Sequence, residues 1–229
     1  MCGRFTIGEI KELLPRFSVE SPVADMPRPR YNIAPTQDVP IIRRSPNQLV
    51  LMRWGLIPFW SKDEKIGSKL INARAETVAE RPAFRTSMKD KRCLVPTTGF
   101  YEWKATSKGK VPYLARRTDE KLFAMAGLYD HWKDPYGKEV LSFTIITTAA
   151  NKLMADIHDR MPVILSREDE SEWLEPSLLK KDELERLFQP YPSEKMEAYP
   201  VSKAVNDISK DSAELIRPAQ QVSAAENWF

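Results

Sequence analysis

Between positions 39 and 148, short apolar runs and polar–apolar alternations follow one another closely, separated by turn residues. VPIIRR, LVLMRWGL, CLVPTTGFYEW, VPYLARR, KLFAMAGLYDHW and VLSFTIITT each read as β-structure. Asp134-Pro135-Tyr136-Gly137 supplies a turn between the last two, and Ser107-Lys108-Gly109-Lys110 supplies one before VPYLARR. Outside this region the spacing changes. Ile10, Leu13, Leu14 and Phe17 recur at helical intervals behind Thr6-Ile7-Gly8-Glu9, a capping-box pattern, so a helix is predicted there, shortened by Pro15. Residues 18–40 are rich in proline and read as an extended, ordered loop. Helices are predicted over 151–157, 167–175 and 181–188. Closely spaced strands without a βαβ rhythm favour the α+β class. The expectation is a single domain over 1–229: a mainly antiparallel, barrel-like sheet system with peripheral helices, its last residues, about 219–229, forming a tail.

Composition narrows this picture. The 229 residues are 42% apolar and 29% charged, enough for a sizeable core and far from the profile of a disordered chain. No apolar run approaches the ~18 residues of a membrane span. The N-terminus lacks the basic, apolar and small-residue order of a signal peptide. Two cysteines make no disulfide framework, so a cytoplasmic location is expected. Net charge is only +3, but residues 61–116 hold 13 Lys or Arg against 6 acids, and residues 167–229 hold 8 against 14. An anionic partner is therefore sought in the middle of the chain.

The candidate chemistry begins at the second residue. Methionine is commonly trimmed before a small residue, which would leave Cys2 with an amine and a thiol on one carbon skeleton. About a tenth of an α-amino group is uncharged at pH 7. A neutral amine condenses with an aldehyde to an imine, and the neighbouring thiol can then close a thiazolidine ring intramolecularly. Two other readings stay open: Cys2 as a small apolar residue, and Cys2 as an N-terminal nucleophile on an amide, since class II glutamine amidotransferases also begin Met-Cys-Gly.

Asn72, Arg74 and Glu76 lie in LINARAET, where Asn72 and Arg74 point to one face of an extended segment. An amide and a guanidinium there suit a phosphate or carboxylate site, or an ordinary polar strand face. Glu102 stands between Tyr101 and Trp103, where burial would raise its pKa and fit it for proton transfer; an edge-strand ion pair is the alternative. His158, between Asp156 and Asp159 and followed by Arg160, sits at a helix–strand junction. His131 reads as structural. Cys2, Cys93, His131 and His158 match no zinc spacing, so neither a metal nor a cofactor is expected. Trp54 and Trp60 precede Lys62, Lys65 and Lys69, the mix of rings and positive charge that holds single-stranded nucleic acid.

Nine segments in order carry a resemblance: MCGRF, YNIAPTQ, RWGLIPFW, INARAET, GFYEW, AMAGLY, TIITTAAN, IHDRMPVIL and PVSKAVND. Together they resemble the SRAP family, the SOS-response-associated peptidases or abasic-site-processing proteins, in its bacterial form. The resemblance implies a protein that crosslinks through Cys2 to the ring-opened aldehyde of an abasic site in single-stranded DNA. It implies that Asn72 positions the sugar or the amine, that Glu102 moves protons, and that His158 serves ring opening, crosslink reversal and strand-cleaving elimination. Arg4, Arg74 and Arg160 match phosphate-holding arginines, and Trp54 and Trp60 lie in the segment that wedges against flanking bases. It further implies a monomer without cofactors or membrane partners, acting on single strands and on single/double-strand junctions, and nucleoid-associated when bound. A non-covalent single-strand binder and an amidase or peptidase using the Cys2 thiol remain as rivals.

Overall fold

The computed structural model describes residues 2–20, 28–44 and 47–219. Among them are thirteen strands and five short α-helices. In chain order these begin β1 (Phe5–Ile7), α1 (Leu13–Arg16), β2 (Arg30–Ile33), β3 (Asp38–Arg43), β4 (Gln48–Trp54), β5 (Asn72–Arg74) and α2 (Ser87–Asp90). Next come β6 (Arg92–Thr97), β7 (Gly99–Thr106), β8 (Gly109–Arg117), β9 (Phe123–Lys133) and β10 (Glu139–Ala149). The chain continues with α3 (Lys152–Ala155), β11 (Arg160–Pro162), β12 (Ile164–Leu165), α4 (Arg167–Leu174), α5 (Lys181–Leu187) and β13 (Met196–Pro200).

Five strands close on themselves in the order β10-β4-β3-β6-β9, because β10 pairs with both β9 and β4. This is a small barrel, extended by β11, β12 and β5. A second, five-stranded sheet runs β13-β8-β7-β1-β2. Most pairings are antiparallel, as hairpin-like spacing predicts; the exceptions are β4 and β5, which lie parallel to β10. The main core fills the barrel and the space beneath the second sheet, and includes Phe5, Ile41, Met52, Trp54, Val95 and Phe143. Gly127 in β9 lets strands approach closely: a Cβ there would lie 2.9 Å from Cys93 Sγ and from Val95 Cγ2.

CLVPTTGFYEW is two strands, β6 in the barrel and β7 in the second sheet, with the switch at Thr98. At that corner Thr98 and Thr6 share a hydrogen bond of 2.7 Å between their hydroxyls. The same corner overturns the predicted N-terminal helix. Thr6 is no helix cap but a strand residue, held between β2 and β7, and the helix is only the turn Leu13–Arg16. Pairing on both sides satisfies the backbone of residues 5–7 better than one helical turn would. The predicted loop over 18–40 likewise contains β2 and the start of β3, drawn into order by an ion pair between Arg30 and Asp211. Part of that loop, residues 21–27, lies outside the described residues, as do residues 220–229 of the expected tail. The predicted helices at 151–157, 167–175 and 181–188 are α3, α4 and α5.

Buried Arg92 fastens α4 to the barrel, donating to the carbonyls of Trp173 at 2.6 Å and Met88 at 2.7 Å. No helix among the described residues is long and apolar enough to cross a membrane.

Candidate active site

Residues 4–6 are paired into the second sheet. Phe5 pairs with Phe100, and the Tyr101 N–H donates 2.9 Å to the Arg4 carbonyl. Continuing that register places Glu102 opposite Gly3. From the other side comes β5, laid parallel on β10 with Asn72 beside Ile145. Its Asn72 Nδ2 donates 2.8 Å to the Cys2 carbonyl. Asn72 Oδ1 is buried and has no hydrogen-bond partner among the described residues. Cys2 itself is fully buried and belongs to the main core. Burial, reinforced by the negative charge of Glu102, pushes its thiol well above the usual range. A thiol in this state is almost entirely protonated at neutral pH, and its reaction requires a proton acceptor.

Glu102 is 3% exposed. Burial raises its carboxyl, with the positive charge of His158 among the influences working against the rise. A folded-state pKa above the unfolded value of ~4.3 has a defined consequence for stability. The contribution is fully present below the unfolded value and is lost as pH rises through the folded one. The Glu102→Gln chain should therefore melt close to wild type near pH 4 and increasingly above it toward pH 8. Thermal scans across that range test this; a constant offset between the two chains would contradict it.

His158 follows α3, its backbone N–H closing on Met154 at 2.8 Å. Its Nδ1 accepts the Arg160 N–H at 3.0 Å, which in the neutral ring puts the proton on Nε2. Asp159 Oδ1 lies 2.8 Å from the same Nδ1 and is placed to pair with the ring when it takes a second proton. Cys2, Asn72, Glu102 and His158 thus come together, Cys2 with Asn72 by a hydrogen bond, and Glu102 with both Cys2 and His158 through charge.

The three arginines stand differently. Arg4 donates 2.7 Å to Asn32 Oδ1 and 2.8 Å to the Val205 carbonyl, and lies over the Trp103 ring. Arg74 is exposed. Arg160 is already clamped by both carboxylate oxygens of Glu76. The two tryptophans separate completely. Trp54 is fully buried, edge-on to Phe5 with ring centroids 5.0 Å apart and stacked on Phe143 at 6.3 Å. It has no face to offer a base, which corrects its expected place in a base wedge. Its Nε1 instead donates 2.9 Å to the Ile71 carbonyl and so anchors the residue before Asn72. Next to it, Gly55 takes φ +123°, and a Cβ there would sit 2.6 Å from the Gly67 carbonyl oxygen. Trp60 is 49% exposed. It lines a shallow depression of about 490 Å³ with Lys62, Lys65, Ile66 and Lys69. Buried Asp130 holds this loop, accepting from the Phe59 N–H at 2.9 Å. No cluster of three metal-ligating side chains occurs among the described residues.

Residues 1–208 match the family model described as SOS response associated peptidase (SRAP). The chain belongs to the SRAP family. Among SRAP relatives, the abasic site processing protein YoqW of Bacillus subtilis is 49% identical, over 94% of this chain and 99% of that protein. YedK of Escherichia coli, also named an abasic site processing protein, is 33% identical over 95% of this chain and 100% of its own length. A crystal structure of a Bacteroides thetaiotaomicron protein superposes with a TM-score of 0.86 at 35% identity, covering 95% of this chain and 100% of that one. Buried Asn32 supports Arg4 and carries no signal of that role in the sequence. Its Nδ2 donates to the carbonyls of Lys210 at 2.8 Å and Asp207 at 3.0 Å while its Oδ1 orients Arg4. It lies in YNIAPTQ, inside the stretch that reads as a loop, and only the structure places it in β2, where asparagine is a disfavoured residue type.

Proposed function

We propose that this chain processes abasic sites by trapping them covalently in single-stranded DNA through Cys2, once Met1 has been removed. The observation that carries the reading is the Asn72–Cys2 hydrogen bond of 2.8 Å beside buried Glu102, which fixes residue 2 within reach of a proton-transfer group. Relatives named abasic site processing proteins support it. The "peptidase" of the family description fits removal of Met1.

The chemistry follows from the residues. His158 helps the sugar hemiacetal open, moving the proton of the C1′ hydroxyl to O4′ as the C1′–O4′ bond breaks. The amine of Cys2 adds to the C1′ aldehyde. Glu102, its carboxyl raised by burial, donates to the departing hydroxyl, and one water leaves as the imine forms. The thiol then adds across C=N: sulfur bonds to C1′, and its proton passes by way of Glu102 to nitrogen. One water is lost in all. Asn72 holds the Cys2 backbone so that the amine faces the sugar, and its unsatisfied Oδ1 is an acceptor for that amine. Arg74 and the depression around Trp60 serve the phosphates and bases of the strand without reading sequence.

The test is an intact-mass measurement on the purified protein mixed with an abasic single strand. The expected product has the mass of the chain without Met1, plus the oligonucleotide, less one water. An unmodified protein, or a product that retains Met1, would overturn the reading. Glu102→Gln should slow product formation about 10²–10⁴-fold, the range for loss of a general acid–base group. Trp60→Ala should weaken binding of an intact single strand about ten-fold, one stacked base, with an unchanged melting temperature in thermal scans.

A further inference from the structure

Glu76 follows β5 and Arg160 opens β11, and the two strands flank the same end of β10. Arg160 Nη1 and Nη2 meet the two Glu76 carboxylate oxygens at 2.5 and 3.0 Å. Nη2 also donates 2.5 Å to the Thr147 carbonyl, so the guanidinium is oriented from below as well. Its Nε is buried and has no partner among the described residues. The Arg160 side chain is 12% exposed and that of Glu76 is 52%, so the carboxylate covers the solvent side of the guanidinium. The hydrogen bond from Arg160, with Arg74 adding its charge, holds the Glu76 carboxyl below the usual carboxylate range.

A guanidinium fork accepts the two oxygens of a carboxylate and of a phosphate in the same planar geometry. We propose that Glu76 is a built-in phosphate mimic, occupying the place of a DNA phosphate on Arg160 beside Arg74, so that a strand engages Arg160 only by displacing it. The inference rests on the reading that this site binds single-stranded DNA. Its effect is selectivity. An ordinary strand has to displace Glu76 for a modest return and leaves again, whereas an abasic strand is retained by the covalent bond.

The experiment is a salt series of fluorescence-anisotropy titrations with an intact single-stranded oligonucleotide. The proteins are wild type, Glu76→Gln, Arg160→Gln and the double variant. Freeing one arginine for one phosphate should steepen the slope of log K against log salt by about 0.7 and tighten binding about five-fold at 0.1 M salt. In the Arg160→Gln background, Glu76→Gln should have no effect beyond about two-fold, because the pair acts as a unit. Glu76→Ala, which removes the carboxylate entirely, should shift affinity in the same direction. An unchanged slope in both Glu76 variants overturns the inference. So does an equal gain without Arg160, which would make Glu76 a general repulsive charge. A wild-type chain without salt-dependent strand binding overturns the DNA reading itself, and this inference with it.

Discussion

A Cys2→Ala chain mixed with an abasic single strand should give no heat-stable covalent band on a denaturing gel, a loss of at least about 100-fold against wild type. The estimate is conservative, because intramolecular ring closure by a held thiol is worth far more than that. The variant should still fold. Replacing one buried sulfur costs about 1 kcal/mol, the typical effect of a single substitution. Its N-terminal amine survives, so an imine still forms and still reverses. Reduction with borohydride during the incubation should therefore restore a band for Cys2→Ala, whereas an acetylated N-terminus should give none. A heat-stable band from Cys2→Ala without reductant would show that the thiol is idle. No band from either chain would favour a non-covalent binder.

The second large effect falls on stability. Trp54→Ala removes a fully buried ring packed between Phe5 and Phe143. It should cost about 3–5 kcal/mol. For a chain of this length that lowers the melting temperature by roughly 6–10 °C. Trp54→Phe separates packing from hydrogen bonding. It keeps a ring but removes the 2.9 Å indole donor from the Ile71 carbonyl, which retains the Ile145 N–H at 3.2 Å, so the lost hydrogen bond costs about 0.5–1.5 kcal/mol. Asn72, one residue further on, should lose its alignment, so crosslinking slows while affinity for an intact strand stays near wild type. Affinity lost with the melting temperature intact would instead make Trp54 a base-stacking residue.

These two residues also mark how far the sequence could be read. The strands between 39 and 148 were legible because a small barrel demands buried runs and alternation that few other folds use. β1 was not, since Thr6-Ile7-Gly8-Glu9 carries a genuine local helix signal and only the distant partners β2 and β7 override it. β5, three residues long, could be read only as an extended segment, and β13, which ends in proline, shows no alternation. In the candidate site, Cys2, Asn72, Glu102 and His158 stood out because each residue type carries its own chemistry and because nine segments resemble one family; the structure brings the four together. Trp54 and Trp60 were not separable, since they share a segment and only the fold turns one inward and the other out. The Val205 carbonyl that holds Arg4 left no trace at all, because a main-chain oxygen has no residue type.

That last contact bears on how the protein is made. Arg4 is tied to Val205 across 201 positions of sequence. Ribosomes add about 5–20 residues per second, so the first residues to emerge wait roughly 10–40 s before the segment that locks them exists. On the proposed chemistry, the Cys2 end is unsheltered during that interval, open to methionine removal and equally open to stray small aldehydes. Slowing translation late in the message, with free aldehyde in the cell, should therefore spoil a larger share of newly made chains.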